Sequence, residues 1–560
     1  MSSKVVSWVA GLTFGVAAWS QEPPAPVPDT PADTEVPAAA ATPTALPTFA
    51  ELEAAGAVIG EIHVVAQNIF DTTDPKEDNA LFRAANALHI QTRPGVIRRA
   101  LLFKPGDPVS VRVIEETERL LRSGSYLYDV RFRALAVRDG VVDIEVVTRD
   151  TWSLDLAVRF SRTGGANSTG LRIAESNLFG TGTTLGFGRS NDVDRSGNEF
   201  LIANPRAFGR WVTASYSHAA NSDGSSDAAR LARPFYALDT RWAAGLSAWR
   251  YNRIDPVYNA GEVASEYRHR HESAEVFGGW SAGLIDGWAR RTSLGLRSQE
   301  DTYAEEPDRT PPAQLPTGQK LVGPFVRFEW IEDRFERELN RNVMGRPEFF
   351  AMGLASTVQL GWAARSLGSS DDLLTYRGTV SRGFEPAPGT TLMASGRFDG
   401  QLVHGRVSRQ QLGADAQIYR PQGPRWLFYA SASGDVLTNP DANQSLLLGG
   451  DSGLRGYPLR YQSGNRRVLV TVEERFYTDL YLWQLFRIGG AAFYDIGRAW
   501  GGDNVNLSNP GWLSDLGFGL RIVSARSAGA NVVHVDIAVP LQATADIQKV
   551  QFLVKTKLSF

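Results

Sequence analysis

The stretch Leu238-Asp239-Thr240-Arg241-Trp242-Ala243-Ala244-Gly245-Leu246-Ser247-Ala248 alternates residue by residue. Leu238, Thr240, Trp242, Ala244, Leu246 and Ala248 share one face, and Asp239, Arg241, Ala243, Gly245 and Ser247 share the other. That is the pattern of a strand with one apolar and one polar side. It returns near the C-terminus, where Leu516, Phe518, Leu520 and Ile522 alternate with Gly517, Gly519 and Arg521. Val533, Val535, Ile537 and Val539 alternate with His534, Asp536 and Ala538. In the last strand Val550, Phe552, Val554, Leu558 and Phe560 oppose Lys549, Gln551, Lys555, Lys557 and Ser559.

Amphipathic strands suit a soluble sandwich or a transmembrane barrel, and three features favour the barrel. The apolar faces are rich in aromatics, including many of the 14 tryptophans, as interface girdles require. The polar faces carry Gly, Arg, Asp and His, as a wet lumen would. The N-terminus reads as an export signal, residues 1–20: Lys4 is the positive end, Val5 to Ala18 is mostly apolar, and Ala18-Trp19-Ser20 precedes Gln21. At roughly 25 residues per strand and connection, residues 151–560 predict a mainly β chain whose antiparallel barrel has about 16 strands.

Bulk properties exclude several classes. There are no cysteines, so no disulfide scaffold, thiolate metal site or cysteine nucleophile. The net charge of −3 gives no reason to expect a nucleic-acid partner. No apolar run reaches the roughly 18 residues of a membrane helix.

Residues 21–50, dominated by Pro, Ala and Thr, read as an extended linker. From 51 to 150 the grammar is that of a small α/β domain. Ile62 to Phe70 is rich in strand formers. Pro94 opens a short helix with Val96, Ile97, Ala100 and Leu101 on one face. Ser110 can cap a second, striped by Val113, Ile114, Thr117, Leu120 and Leu121 and stopped by Gly124. Two strands, Tyr128 to Val137 and Val141 to Val147, then meet at Asp139-Gly140, a hairpin signal. Residues 72–91 separate the first strand from the first helix and read as an insertion.

Gly449-Gly450-Asp451-Ser452-Gly453-Leu454-Arg455-Gly456-Tyr457 is too glycine-rich for a regular element. Its Gly-Asp-Ser-Gly core resembles a protease nucleophile loop, but the seven histidines are scattered and supply no evident base for Ser452. The strands after it carry lone acids. Parity places Val468, Val470 and Val472 outward and Thr471, Glu473 and Arg475 inward. It likewise places Ala492, Tyr494 and Ile496 outward and Phe493, Asp495 and Gly497 inward. An infolded Arg455 would meet Glu473 and Asp495. Gly180-Thr181-Gly182 with Gly186 precedes no helix pattern and is not a dinucleotide fingerprint. His269-Arg270-His271 lacks a third metal ligand and reads as a solvated strand end or loop. No catalytic, metal or cofactor site is expected.

The strand-helix-helix-strand-strand order of 51–150, with Leu121, Gly124-Ser125-Tyr126, Val130 and Asp139-Gly140, resembles one POTRA domain. Asn177-Leu178-Phe179-Gly180-Thr181-Gly182-Thr183-Thr184-Leu185 resembles the first barrel hairpin of the outer-membrane assembly factor (bacterial surface antigen) superfamily. Leu454-Arg455-Gly456-Tyr457 is similar to the tip of that superfamily's sixth extracellular loop, which folds back into the lumen. Glu473-Glu474-Arg475-Phe476, Phe493-Tyr494-Asp495-Ile496-Gly497 and Asp536-Ile537-Ala538-Val539-Pro540-Leu541 resemble its later strands, and terminal Phe560 its C-terminal recognition signal. The resemblance covers residues 59–560.

It implies a non-enzymatic bacterial outer-membrane protein with 16 barrel strands and a periplasmic POTRA domain that engages extended client polypeptides. The barrel would insert, assemble or translocate them, with membrane lipids and accessory envelope proteins as further partners. Asn177, Phe179, Gly180 and Gly182 would be its hairpin motif, and Arg455, Gly456, Tyr457, Glu473 and Asp495 its loop lock. One POTRA domain is fewer than general assembly factors carry, and two-partner-secretion transporters have two behind a plug helix; a specialised member fits better. A transporter of that secretion type and a passive channel are the alternatives.

Overall fold

The computed structural model describes residues 46–345, 347–442, 444–502, 511–526, 531–545 and 547–557. The export signal, most of the linker and Phe560 lie outside the described residues.

The N-terminal domain begins at helix α1 (Phe49–Ala54), which Thr48 and Glu51 close with a reciprocal capping box. Strand β1 (Val58–Gln67) follows, then helices α2 (Ala80–Leu88), α3 (Pro94–Arg98) and α4 (Val111–Arg122). The hairpin of β2 (Leu127–Arg138) and β3 (Val141–Asp150) completes it. The sheet order is β1-β3-β2, with β1 parallel and β2 antiparallel to β3. Ile59, Ile97, Ala100, Leu121, Val130 and Ile144 are buried in one core between helices and sheet. At the β2–β3 turn Asp139 and Gly140 both have positive φ, 49° and 76°, the mirror-image turn that follows the strand twist. Ser110 stands at the N-cap of α4 without a side-chain capping bond. The segment 72–91 is partly helical, since α2 lies within it.

Among the described residues the barrel closes with twenty strands, not about sixteen, running from β4 (Leu154–Thr163) to β27 (Gln551–Lys557). Short turns account for the difference. Gly164-Gly165, Ala260-Gly261, Asp286-Gly287 and His404-Gly405 are two-residue connections with positive φ at both positions. The chain therefore uses roughly 20 residues per strand, and the allowance for long connections was too generous. The opening stretch enters the wall only at Trp242, where β10 (Trp242–Asn259) begins; Leu238 to Arg241 belong to the preceding connection. From there the alternation holds. Trp242 and Leu246 are exposed outward while Ala243 is buried, and Leu516, Phe518 and Leu520 are exposed farther on. The outer wall is thus an extensive apolar surface of the kind a bilayer covers.

Strand direction orders the two ends. Because β4 leaves the N-terminal domain directly, every second turn lies at the domain's end of the barrel. Two pairs of short strands stand outside the wall: β14 (Phe335–Leu339) with β15 (Pro347–Ala351), and β21 (Leu446–Leu448) with β22 (Gln462–Gly464). The first pair enters the lumen from the domain end and the second from the far end. At closure, β27 meets β4 through a single pair, Val554 with Arg162, among the described residues. Its other neighbour, β26 (Val532–Pro540), pairs without interruption from Val532–Lys557 to Ala538–Gln551.

Replacing Ile144 by Ala removes a fully buried side chain from the domain core and should destabilise the domain by about 2–5 kcal/mol. Hydrogen exchange should then quicken across β1 to β3 while the barrel amides keep their protection. Unchanged exchange in the domain would contradict this packing.

Candidate functional site

The loop between β20 (Trp426–Thr438) and β23 (Arg466–Leu482) turns back into the barrel. Its glycines are required by close approach. A Cβ on Gly450 would lie 2.5 Å from the Tyr457 carbonyl, and one on Gly456 would lie 2.6 Å from the Asp515 side chain. Leu454 and Tyr457, both fully buried, pack with Leu448, Tyr461, Ala499 and Leu513. Tyr457 donates its hydroxyl to the Ser514 carbonyl at 2.9 Å.

Arg455 is the loop's charged anchor. Its Nε and Nη2 reach the two oxygens of Asp495 at 2.6 and 2.8 Å, and Nη1 reaches Glu473 at 2.8 Å. The guanidinium lies 3.4 Å from the centre of the Phe493 ring. Asp495 stands on β24 (Phe486–Trp500) and Glu473 on β23, both at the inward positions that parity gave them. Thr471 adds a hydrogen bond to Asp495 at 2.7 Å. All three charged residues are buried, so bidentate geometry and mutual pairing replace their hydration.

The lock extends beyond the predicted trio. Arg475 binds the second oxygen of Glu473 at 2.9 Å and also donates to the Arg341 carbonyl at 2.9 Å. Arg341 belongs to the β14–β15 hairpin. Tyr477 donates to the Asn340 carbonyl, and Tyr419 to the Asn342 side chain, fixing the same turn. Glu348 closes it from within by accepting the backbone amides of Arg341 and Asn342. Glu473 therefore links the loop from the far end to the hairpin from the domain end. At the hairpin's base, Arg119 of α4 lies 3.6 Å from Asp333 and over the Phe335 ring.

A second tie crosses the barrel. Arg460 grips Asp194 through both oxygens at 2.7 Å and lies over the Tyr258 ring. No short motif announces this pair, because its members are far apart in sequence.

The Asn177–Gly182 motif has a different place from the loop. It forms the turn between β5 (Ala166–Leu178) and β6 (Thr183–Asn191), the barrel's second and third strands, on the domain's side. Asn177 donates to Thr92 of the domain at 2.8 Å and accepts from the Gly182 amide. Arg93 donates to the Gly180 carbonyl, and a Cβ on Gly180 would lie 2.4 Å from the Gln91 carbonyl. Phe179, with φ of 56°, is exposed. The turn is a docking point. Glu116 of α4 adds another by accepting the Leu238 amide at 2.7 Å, and burial there pushes its carboxyl up from the ordinary glutamate range.

Two expectations change. His269 and His271 are not a solvated strand end; both are buried within β11 (Glu262–Ile285). His269 bridges Asp255 and Asp301, and His271 binds Asp301 at 2.7 Å while stacking on Tyr251. The carboxylates come from neighbouring strands, which linear spacing cannot reveal. Ser452 serves the loop's turn, its hydroxyl accepting the Gly449 amide at 2.7 Å.

No family model matches the sequence, and no curated protein is similar to it. Solved structures similar to it include BamA from Haemophilus ducreyi lacking POTRA domains 1–3, at 12% identity over 90% of this chain and 85% of that one, TM-score 0.41. CdiB from Acinetobacter baumannii aligns at 12% identity over 90% and 73% of the two chains, TM-score 0.45. CdiB from Escherichia coli aligns at 12% identity over 89% and 76%, TM-score 0.45.

The chain has no native cysteine, so a single one reports loop position. Cys placed at buried Leu454 should react with maleimide slowly, and adding Arg455→Ala should accelerate labelling roughly a hundredfold while the barrel still folds. Equal labelling rates would show that the guanidinium does not hold the loop.

Proposed function

We propose that this protein inserts, assembles or translocates polypeptides at the bacterial outer membrane and is not an enzyme. The observation that carries the reading is a loop folded into the lumen and anchored there by a buried charge lock, in a barrel on which an α/β domain docks. A wide barrel filled from both ends by its own chain suits gated traffic; a steadily open passive channel fits it poorly.

In this reading the domain is POTRA-like and periplasmic. Strand β2 is an edge of its sheet, so an extended client segment could add to it by backbone pairing. The loop with Arg455 then enters from the outside, and the β14–β15 hairpin from the periplasm. Moving the loop means separating Arg455 from both Glu473 and Asp495. Breaking one side of such a buried set costs about 3–5 kcal/mol. A client that bound the domain and the open barrel more tightly than the closed one would supply that difference. The seam between β4 and β27 is the other candidate route, since a lone backbone pair joins the described residues there.

Depleting the protein should remove specific barrel or secreted proteins from the outer-membrane proteome. Re-expressed Arg455→Ala, inserted normally, should fail to restore them. An unchanged proteome on depletion would overturn the reading, and full rescue by the variant would detach the lock from function.

A further inference from the structure

Where the domain meets the barrel, the turn from α4 to β2 (Ser123 to Tyr126) forms one wall of a cavity of about 510 Å³. The opposite wall is the lumen face of β9 (Gly224–Arg233), β12 (Trp288–Glu305) and β13 (Gln319–Glu332). Its charged lining is Arg206, Arg230, Arg291 and Arg327 against Glu329 alone. Arg327 also lines a second cavity of about 460 Å³ farther along the lumen wall. There it is joined by Arg377 and Arg397, with Asp399 as the one carboxylate. The two chambers adjoin through Arg327.

Several of these cations hold spare bonding capacity. The Arg230 and Arg377 side chains make no direct ion pair or hydrogen bond among the described residues, although Glu275 attracts both and Asp399 attracts Arg377. Arg291 donates through Nη2 to the Ala237 carbonyl, but its buried Nε has no partner there. Arg206 is partly engaged by the Tyr126 hydroxyl and lies over Trp211, and Arg327 binds Glu275. Arg397 is already paired with Asp415 and Asp435, but with one lining carboxylate to each chamber the remaining guanidiniums outnumber their partners. An incoming anion would supply a partner to more than one arginine at once.

We propose that these two chambers bind carboxylates of an extended, acidic polypeptide segment. The aromatic surfaces of Trp211 and Phe235 border the first chamber and suit a peptide, whose side chains need apolar contact as well as charge. The site rests on the polypeptide-handling reading above and adds the substrate class: segments rich in Asp and Glu, taken up between the domain and the lumen wall.

The test is fluorescence anisotropy on the full-length protein in detergent, with a short Glu-rich peptide and a Lys-rich peptide of equal length. The Glu-rich peptide should bind, more weakly as salt rises, and the Lys-rich peptide should not. Arg230→Gln with Arg377→Gln should weaken binding roughly tenfold. In that variant Glu275 keeps Arg327, but Asp399 loses the charge of Arg377, so heat-modifiable gel mobility must show that the barrel is folded. Glu329→Gln, which removes the first chamber's one carboxylate, should preserve or tighten binding. Equal affinity for both peptides, no binding, or indifference to the double substitution in a folded barrel would overturn the site. Binding of polyphosphate without the Glu-rich peptide would also overturn it. If depletion removes client proteins but the peptide fails to bind, only this inference falls. If the peptide binds as expected and no client disappears, the site stands and the translocation reading falls.

Discussion

A guanidinium taken out of water must bring its counter-charges with it, and the interior of this barrel is arranged around that requirement. Arg455 is buried with two carboxylates on adjacent strands, and its bidentate contact with Asp495 admits little displacement. The loop around it follows: glycines where its backbone presses on itself and on the wall, and Tyr457 bonded to a wall carbonyl. Such a set is a poor source of stability compared with well-packed apolar residues, but it is expensive to half-break. That asymmetry is what a latch needs.

Glu473 gives the latch its reach. One oxygen holds Arg455 and the other holds Arg475, which in turn holds the hairpin turn at Arg341. The hairpin's base lies against Arg119 of the domain helix. A continuous path of contacts therefore joins the N-terminal domain to the loop at the opposite end. It is a route by which a ligand bound at the domain would bias the loop, provided the hairpin has two arrangements.

Much of this was legible in the sequence because a strand alternates strictly. Parity alone set Glu473, Arg475 and Asp495 facing inward, and the glycine-rich loop supplied the cation for them. The domain was legible for a similar reason: Asp139-Gly140 marks its hairpin, and the stripe from Val113 to Leu121 marks its helix. What failed was whatever depends on where strands end. Ala260-Gly261, His404-Gly405 and Asp286-Gly287 are two-residue turns, shorter than an allowance of about 25 residues per strand and connection assumes, so the barrel was undercounted. Nothing local distinguishes Phe335–Leu339 and Pro347–Ala351 from wall strands, so the inner hairpin was invisible. The pairing of His269 and His271 with Asp255 and Asp301, and of Arg460 with Asp194, arises only when distant segments are brought together.

The central claim is that Arg455 keeps the lumen closed. Single-channel recording in planar bilayers, comparing the protein with its Arg455→Ala variant at matched insertion, tests it most directly. The account expects long closed intervals in the parent and a clear rise in open time or conductance in the variant. Indistinguishable traces from the two would contradict it.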